Sequence, residues 1–273
     1  MIEAQRFREF EHSGWEAIPE PYHQAFGNLT TQAIEPLLNA VGTKKGIRII
    51  DIASGPGYVA AAAAERGATV LGIDFSTAMV AHAQRLHPGV EFREGDAEEL
   101  PLGNSLFDAA VMNFGILHLG RPESALGEAY RILRTGGRFA FSVWSSPQEA
   151  IAFGIVLRAV DLHGEPRVAL PEGPPFFRFS DPEECTRGLR IARFEERTVT
   201  KIRQLWRLPA GDSLFNAMKD GTVRTAALLR AQKPTVLNKI RDAIREALEE
   251  YRKGDVVELP MPAWVASGVK SDD

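Results

Sequence analysis

Residues 47–60, IRIIDIASGPGYVA, join a β-branched run to a glycine-rich turn and then to an alanine-rich segment. The run IRIIDI is typical of a buried strand, and YVAAAAAERG, which closes at Gly67, predicts a helix. Asp51 stands at the end of the strand, and Gly55 and Gly57 stand in the turn. Glycines let a ligand approach the backbone closely, and a helix N-terminus offers free N–H groups to an anion. The pattern therefore predicts a ligand-binding strand, turn and helix.

The same alternation of apolar runs and helical patterns continues to residue 144. The runs ATVLGID, VEFREGD, FDAAVMNF and RFAFSVW predict four further strands with helical segments between them. Because strands joined by helical crossovers pair in parallel, this order predicts a doubly wound α/β sheet. Later in the chain, ARFEERTVTKIRQLW alternates as a strand does, and ELPMPAWVASGVK is a candidate final strand.

The segments outside this first half divide the chain into three predicted parts. Residues 1–42 are predicted to form an N-terminal helical lid over one edge or the mouth of the sheet. Residues 43–204 and 256–273 are predicted to form the core, and residues 205–255 a helical insertion between the last two strands. Residues 187–253 carry 16 Lys and Arg against 8 Asp and Glu, so most of this basic window falls in the insertion.

Composition excludes several classes of protein. A hydrophobic content of 44% and a charged content of 25% are those of a globular chain rather than a disordered one. The single cysteine, Cys185, excludes a disulfide framework, a cysteine-ligated zinc site and an iron–sulfur cluster, and we expect no metal. A net charge of −4 argues against a nucleic-acid partner. With no apolar stretch long enough for a signal peptide or a membrane span, we expect a cytoplasmic protein of open oligomeric state.

Three acidic residues limit the chemical class of ligand that this site can bind. Gly55-x-Gly57-x-x-Ala60 alone also fits a dinucleotide fingerprint. Asp51, however, would repel a pyrophosphate and would pair with an ammonium group. Asp74 ends the second strand, where a carboxylate accepts hydrogen bonds from both ribose hydroxyls, and Asp96 follows the third strand in a polar turn suited to an adenine edge. The structural alternatives are turn glycines, a helix cap at Asp74 and a buried carboxylate at Asp51 that caps neighbouring N–H groups.

These residues resemble the class I S-adenosylmethionine-dependent methyltransferases, especially the branch that includes the ubiquinone and menaquinone biosynthesis enzymes. The matching pieces are IIDIASGPG, LGIDFS, FREGDAEELPLGNSLFDAAVMNFGILHL and RILRTGGRFAFSVW, in the family's order over roughly residues 47–144. The resemblance implies a Rossmann-like seven-stranded sheet whose last strand is antiparallel. It also implies N-terminal helices and a helical cap, inserted between the last two strands, that binds the acceptor.

The resemblance also implies which residues hold S-adenosylmethionine. Asp51 and the turn at Ala53, Gly55 and Gly57 would hold the methionine portion, and Asp74 the ribose. Phe75 would pack on adenine, Asp96 and Ala97 would read its edge, and Asn113 and Phe114 would line the sulfonium end. Ser76 is a further candidate for binding the cofactor. Ala53 departs from the family, which usually has glycine there. An alanine still permits close approach when its φ is negative.

The reaction implied is direct SN2 displacement of the methyl group by a small-molecule acceptor, with release of S-adenosylhomocysteine. Such a reaction needs alignment and exclusion of water and no covalent catalytic residue. His118 is the candidate base, or else a residue that shapes the pocket. Tyr22 and His23 would fold over the cofactor as part of the lid, or simply pack between helices.

The acceptor is expected to be apolar or anionic. Aromatic and apolar side chains late in the chain would line its pocket, unless they are core residues: Phe176, Phe177, Phe179, Trp206, Phe215 and Met218. The basic window either attracts an anionic or membrane-resident acceptor or is a solvated helical face that displays Arg241, Arg245 and Arg252.

Two other functions stay open from the sequence. A nicotinamide-dependent oxidoreductase would use the glycine turn, but the chain lacks a Tyr-x-x-x-Lys pair near it, and Asp51 fits poorly. A module that binds the cofactor without turnover would keep the same site. Among methyltransferases, DNA amino-group modification is disfavoured by the strand end MNFG, and arsenite methylation by the single cysteine.

Overall fold

A seven-stranded sheet with helices on both faces forms the centre of the protein. The structure is a computed structural model and describes residues 2–271. The described residues form ten strands: β1 (Arg48–Ile52), β2 (Thr69–Asp74), β3 (Glu91–Glu94), β4 (Phe107–Asn113), β5 (Leu133–Trp144), β6 (Glu195–Ile202), β7 (Leu205–Pro209), β8 (Arg252–Lys253), β9 (Val256–Pro260) and β10 (Ala263–Val269).

Eleven α-helices surround the sheets in the same part of the chain. They are α1 (Ile2–Ala17), α2 (Pro19–Thr30), α3 (Ile34–Ala40), α4 (Tyr58–Glu65), α5 (Thr77–Leu86), α6 (Pro122–Ile132), α7 (Ile151–His163), α8 (Pro182–Ile191), α9 (Ser213–Asp220), α10 (Arg224–Arg230) and α11 (Pro234–Leu248).

The strand order of the main sheet is β3-β2-β1-β4-β5-β10-β6. The first five strands are parallel, and β10 runs antiparallel between β5 and β6, which confirms the predicted fold class. Ile49, Ile50 and Ile52 of β1 are fully buried because helices cover both faces of this central strand. The order of connections reverses between β1 and β4. In open α/β sheets, ligands bind in the crevice at the carboxyl ends of strands at such a point.

The helix before β5 ends earlier than the sequence predicts. The sequence RPESALGEAYRILRTGG, residues 121–137, predicts a helix that ends at Gly136 and Gly137, but the helix ends at Ile132. β5 begins with the next residue, and residues 134–137 form a bulge before regular pairing with β4 resumes at Arg138. Gly136 has a φ of 77°, which suits the glycine to the bulge. The glycine pair marks this bulge rather than a helix end.

The segment 192–206 was predicted as one strand and is two strands in different sheets. β6 lies at the edge of the main sheet, whereas β7 pairs with β9 in a separate sheet of order β7-β9-β8. The predicted insertion, 205–255, thus contains strands as well as α9, α10 and α11, and β9 falls within residues that were assigned to the core. The division of the chain into three functional parts stays a prediction.

The spacing of Val236, Ile240, Ile244 and Leu248 predicts an amphipathic helix near the end of the insertion, and that helix is α11. Ile240, Ile244 and Leu248 of its apolar stripe are buried against the rest of the protein. None of the helices in residues 2–271 is long and apolar enough to cross a membrane.

Candidate functional site

A cavity opens at the crevice beside the carboxyl ends of β1 and β4. The turns that follow β1, β2, β3 and β4 form its floor, and α1, α2 and the start of α10 form its roof. Most of the predicted site residues line it: Tyr22, Ala53, Gly55, Asp74, Phe75, Asp96, Ala97, Asn113, Phe114 and His118. Asp51, Gly57 and Ser76 do not line the cavity. Among the described residues, no cluster of His, Cys, Asp and Glu is suited to hold a metal ion.

Gly55 and Gly57 are needed in the turn for different structural reasons. Gly55 has a φ of 50°, lines the cavity, and leaves open space where a Cβ would stand. Gly57 has a φ of 82° and precedes α4, and a Cβ there would lie 2.5 Å from Cζ of Phe92. Gly55 is therefore the position where a ligand can approach the backbone, and Gly57 is required by packing.

We expect this difference to separate two alanine variants. Gly57→Ala combines left-handed backbone strain with overpacking against Phe92 and should lower the free energy of unfolding by about 2–4 kcal/mol. Gly55→Ala should cost only about 1–2 kcal/mol from strain, but it should weaken ligand binding because the methyl group enters the cavity. Urea denaturation and calorimetric titration measure the two effects. Equal losses of stability in the two variants would contradict the assignment.

The prediction for Ala53 relied on a negative φ, and that expectation is wrong. The φ of Ala53 is 55°, in the left-handed region, and its side chain lines the cavity. An alanine in this conformation is strained by about 1–2 kcal/mol. The glycine that the family usually has would relieve this strain. Alanine at position 53 therefore lowers the stability of the protein, but it does not close the cavity to a ligand.

Asp51 lies behind the turn rather than on the cavity wall. Its Oδ2 accepts a hydrogen bond from the N–H of Ala60 at 3.0 Å, which caps the start of α4. Its Oδ1 is buried and has no hydrogen-bond partner. Burial and the nearby charge of Asp74 raise the pKa of Asp51 to about 8, although the hydrogen bond from the N–H of Ala60 acts to lower it. Oδ2 therefore caps the helix, as one of the two alternatives for Asp51 predicts. Oδ1 can still accept a hydrogen bond, but no described residue donates one to it.

Asp74 faces the cavity with a carboxylate that is held in place from behind. Its Oδ2 accepts from the N–H of Gly55 at 2.7 Å, and its Oδ1 accepts from the N–H of Ser76 at 3.0 Å. Burial raises the pKa of Asp74 to about 6, although these two N–H groups favour its charged form. The side chain of Ser76 instead caps α5, accepting from the N–H of Met79 at 3.0 Å. Of this pair, only the Asp74 side chain is placed to bind a ligand.

Phe75, Asp96 and Ala97 lie together on the next part of the wall. The Phe75 ring meets His12 of α1 edge to face, with ring centroids 5.3 Å apart. Asp96 accepts from the N–H of Glu98, and the guanidinium of Arg8 on α1 lies 2.7 Å from its Oδ2. The lid helix α1 thus contacts the positions predicted to bind adenine.

Ser142 holds the end of β4 in place. It donates to Oδ1 of Asn113 at 2.6 Å and accepts from the N–H of Phe114 at 2.9 Å. Phe114 has a φ of 54° and stacks on Trp144 with centroids 3.8 Å apart. Ser142 and Trp144 lie on β5 and were not predicted, since nothing in the local pattern of β5 marks them. Their contacts fix the two residues predicted to line the sulfonium end.

Tyr22 and His118 both line the cavity, and His23 does not. Tyr22 stacks on Phe26 with centroids 5.6 Å apart, and burial raises its pKa to about 12. His23 is instead hydrogen-bonded to the hydroxyl of Tyr58 at 2.5 Å, between helices. The ring of His118 meets Trp15 of α1 edge to face at 4.8 Å.

Two functional candidates escaped the sequence analysis, Glu11 on α1 and Arg224 at the start of α10. Glu11 is fully buried, its Oε2 lies 3.0 Å from Nδ1 of His118, and its Oε1 accepts from Nε of Arg224 at 2.7 Å. In sequence, Glu11 lies 107 residues from His118 and 213 residues from Arg224. No local pattern could have marked the pair.

The aromatic residues predicted to line an acceptor pocket separate into two groups. Phe176 lines the cavity beside Phe153, with ring centroids 5.6 Å apart, and the ring of Phe177 packs against both. The other four are buried core residues that do not line the cavity: Phe179, Trp206, Phe215 and Met218.

The basic window is mostly a face of surface ion pairs. Arg245 pairs with Asp212 at 2.6 Å, and Arg252 pairs with Glu249 at 3.2 Å. Exposed pairs of this kind contribute little to stability. Of the Lys and Arg residues of the window, Arg224 is the one that lines the cavity.

A protein-family model described as a methyltransferase domain matches residues 50–141. A demethylmenaquinone methyltransferase from Beutenbergia cavernae is 38% identical over 110 residues, which are 40% of this chain and 46% of that protein. A ubiquinone/menaquinone biosynthesis C-methyltransferase from Rubrivivax gelatinosus is 43% identical over 105 residues, 37% of this chain and 41% of that protein. The chain spans about half the length of the curated relatives it matches.

Solved structures share the fold at low sequence identity. A phosphoethanolamine N-methyltransferase from Haemonchus contortus, solved with phosphomonomethylethanolamine and S-adenosylhomocysteine, has a TM-score of 0.59 and 19% identity, covering 97% of this chain and 60% of that one. The YcgJ protein from Bacillus subtilis has a TM-score of 0.52 and 19% identity, covering 89% and 99%. At this identity the likeness concerns the fold alone.

Proposed function

We propose that this protein transfers a methyl group from S-adenosylmethionine to a small-molecule acceptor, because residues 50–141 match a family model described as a methyltransferase domain. One observation carries the proposal: the carboxylate of Asp74 and the open backbone of Gly55 face the same cavity at the crevice of the sheet. A carboxylate at the end of the second strand suits the two hydroxyls of a ribose. No comparison favours the oxidoreductase that the glycine turn left open.

The residues present fit S-adenosylmethionine at two further points. Gly55 leaves space that a Cβ would fill, and Oδ1 of Asp51 is a buried acceptor without a donor. An ammonium group is the donor that such a carboxylate lacks. Asp51, Ala53 and Gly55 would therefore hold the methionine portion, Asp74 the ribose, and Phe75, Asp96 and Ala97 the adenine.

Bound in this cavity, S-adenosylmethionine supplies an electrophilic methyl group on a sulfonium. The chain's own residues align the acceptor and exclude water, which are the main requirements of a direct displacement. Asn113 and Phe114 would face the sulfonium end, with Phe114 fixed by Ser142 and by its stacking on Trp144. The roof formed by α1, α2 and α10 would keep water from the reacting atoms.

We assign the acceptor to the apolar, aromatic class. Trp15, Phe153 and Phe176 form an aromatic wall beyond the positions proposed for the cofactor. Arg224 is the one Lys or Arg side chain on the described lining, and the carboxylate of Glu11 already balances its charge. An anionic acceptor would therefore meet no unbalanced cation on this lining. The relatives are named for methylation in quinone biosynthesis, which agrees with an aromatic acceptor. A cytoplasmic location stays a prediction from the sequence.

Two measurements test the proposal. Calorimetric titration should show S-adenosylmethionine binding in the micromolar range, with nicotinamide and flavin nucleotides giving no heat. Incubation with methyl-labelled S-adenosylmethionine and a cell extract, followed by mass spectrometry, should show a labelled aromatic product. Cofactor binding without release of S-adenosylhomocysteine for any acceptor would support the module without turnover. Binding of a nicotinamide nucleotide alone would contradict the proposal.

A further inference from the structure

The carboxylate of Glu11 is buried behind the cavity wall, next to three lining residues that face it with donors: Trp15, His118 and Arg224. Nε1 of Trp15 donates to its Oε2 at 3.0 Å, and Nδ1 of His118 lies 3.0 Å from the same oxygen. Nε of Arg224 donates to Oε1 at 2.7 Å. The Glu11 side chain has 0% exposure, so this carboxylate is the only member of the cluster fully removed from water. Three donors around a buried carboxylate stabilise its ionised form.

The cluster holds Glu11 in its ionised form. Burial alone would raise the pKa of Glu11, but His118 and Arg224 outweigh it and lower the pKa. Arg224 is fixed in turn, because its Nη1 donates to the carbonyl of Pro174 and its Nη2 to the carbonyl of Leu117. The charge on Glu11 is therefore matched by a guanidinium that cannot easily turn away.

An ionised carboxylate determines the tautomer of the neighbouring imidazole. Oε2 of Glu11 can only accept, so Nδ1 of His118 must carry the hydrogen. In the neutral ring, Nε2 then holds a lone pair. His118 lines the cavity with a side chain that is 21% exposed, and no described side chain or backbone group is hydrogen-bonded to Nε2. The free lone pair is thus available to a ligand in the cavity.

We propose that Glu11 is a positioning residue that fixes His118 as the general base for a hydroxyl group on an aromatic acceptor. The inference rests on the proposed function and names the acceptor class for the same site. Arg224 takes part by anchoring Glu11, so the base is complete only where α1, the turn after β4 and the start of α10 meet.

The step balances as follows. Nε2 of His118 takes the hydroxyl proton, the acceptor oxygen forms a bond to the methyl carbon, and the carbon–sulfur bond breaks with its electron pair passing to sulfur. The products are a methyl ether, S-adenosylhomocysteine and an imidazolium whose charge faces the carboxylate of Glu11. A phenol has a pKa near 10, so at neutral pH it reacts as a strong nucleophile only when a base removes its proton. The rings of Trp15 and Phe176, 4.8 and 5.8 Å from the His118 ring, flank the place where that phenol would bind.

Kinetics with a series of substituted phenols test the role of each residue. His118→Asn should lower kcat about 100-fold with simple phenols, and Glu11→Gln about 10-fold, with KM little changed. The losses should shrink with nitrophenols, which are already ionised at the assay pH. Glu16→Gln is the matched control, because Glu16 also anchors α1, through Thr77 and the N–H of Ala78, and does not contact His118. The control should keep wild-type kcat and the wild-type dependence on phenol acidity.

Nitrogen NMR of histidine-labelled protein tests the positioning directly and needs no acceptor. The His118→Asn variant assigns the His118 signals among those of six histidines. At pH 8 the wild type should show the tautomer protonated at Nδ1, and Glu11→Gln should convert it to a mixture. If Glu11→Gln does not fold, the wild-type tautomer and the His118→Asn kinetics still decide the matter.

The outcomes separate this inference from the proposed function. An Nε2-protonated tautomer in the wild type, or an equal loss of kcat across all phenols, would overturn the inference and leave methyl transfer intact. Transfer to amines but not to phenols would overturn it as well. A wild-type protein that binds no S-adenosylmethionine would remove the proposed function, whatever the tautomer.

Discussion

Replacing Asp74 by alanine should raise the dissociation constant for S-adenosylmethionine at least about 100-fold, because two hydrogen bonds from ribose hydroxyls to a charged acceptor contribute about 1.5–3 kcal/mol each. The Asp74 carboxylate is already oriented by the N–H groups of Gly55 and Ser76, so it binds without reorganisation. Calorimetric titration at pH 7.5 measures the change. An affinity within about 3-fold of the wild type would remove the ribose assignment.

The pH dependence of binding gives a second check on Asp74. Its pKa in the free protein is about 6, so lowering the pH through 6 protonates the carboxyl and removes one of its strong acceptors. Affinity should therefore fall more steeply below pH 6 in the wild type than in Asp74→Ala, where only the protonation of Asp51 still weakens binding. The control is Asp108→Ala, which removes a carboxylate from the opposite end of β4, where Asp108 accepts from Arg48 and Arg134. This variant should lose stability and keep wild-type affinity.

The parts of the fold and site that the sequence predicts correctly depend on local patterns. Ile49, Ile50 and Ile52 form a β-branched run because both faces of β1 are buried. Asp74 follows such a run directly, so its place at the carboxyl end of the sheet comes from strand geometry alone. Parallel pairing then brings the turns after four strands to one edge, and with them most of the predicted cofactor residues.

The wrong predictions occur where distant packing decides. The sequence pattern in 192–206 continues across the change from one sheet to another, although β6 is largely exposed at the edge of the main sheet and β7 alternates between buried and exposed positions. The positive φ of Ala53 is imposed by the turn and not favoured by alanine itself. Glu11 lies on a helix among exposed charged residues, and its burial follows only from the positions of His118 and Arg224.

Replacing Asp51 by asparagine should stabilise the unliganded protein by at least about 2 kcal/mol at pH 8 and have little effect near pH 4. Burial raises the pKa of Asp51 to about 8 in the folded state, against an ordinary value of 3.8. The folded protein therefore holds a proton that the unfolded chain has released, and stability falls as the pH rises from about 4 to about 8. Asparagine does not ionise, so this decline should be absent. Its Oδ1 keeps the bond from Ala60.

Urea denaturation between pH 4 and pH 8 measures the effect, and Asp108→Asn supplies a control of opposite sign. Burial acts to raise the pKa of Asp108, but the hydrogen bonds from Arg48 and Arg134 outweigh it and lower the pKa. The charge on Asp108 stabilises the folded protein above the ordinary pKa, so Asp108→Asn should destabilise it at pH 7. A stability of Asp51→Asn that tracks the wild type across the whole pH range would contradict the burial of an ionisable group at Asp51.

The same variant distinguishes the two roles of the Asp51 carboxylate. If Asp51 only caps α4, asparagine preserves the cap and the affinity for S-adenosylmethionine stays at the wild-type value. If Oδ1 receives the ammonium group, asparagine loses a charge-assisted hydrogen bond, and the affinity should fall about 10- to 100-fold while stability rises. Opposite changes in stability and affinity are expected, because a buried carboxylate without a donor destabilises the free protein and becomes favourable once a cation pairs with it. The structure shows this condition at Oδ1, and we therefore expect the gain in stability to come with weaker binding.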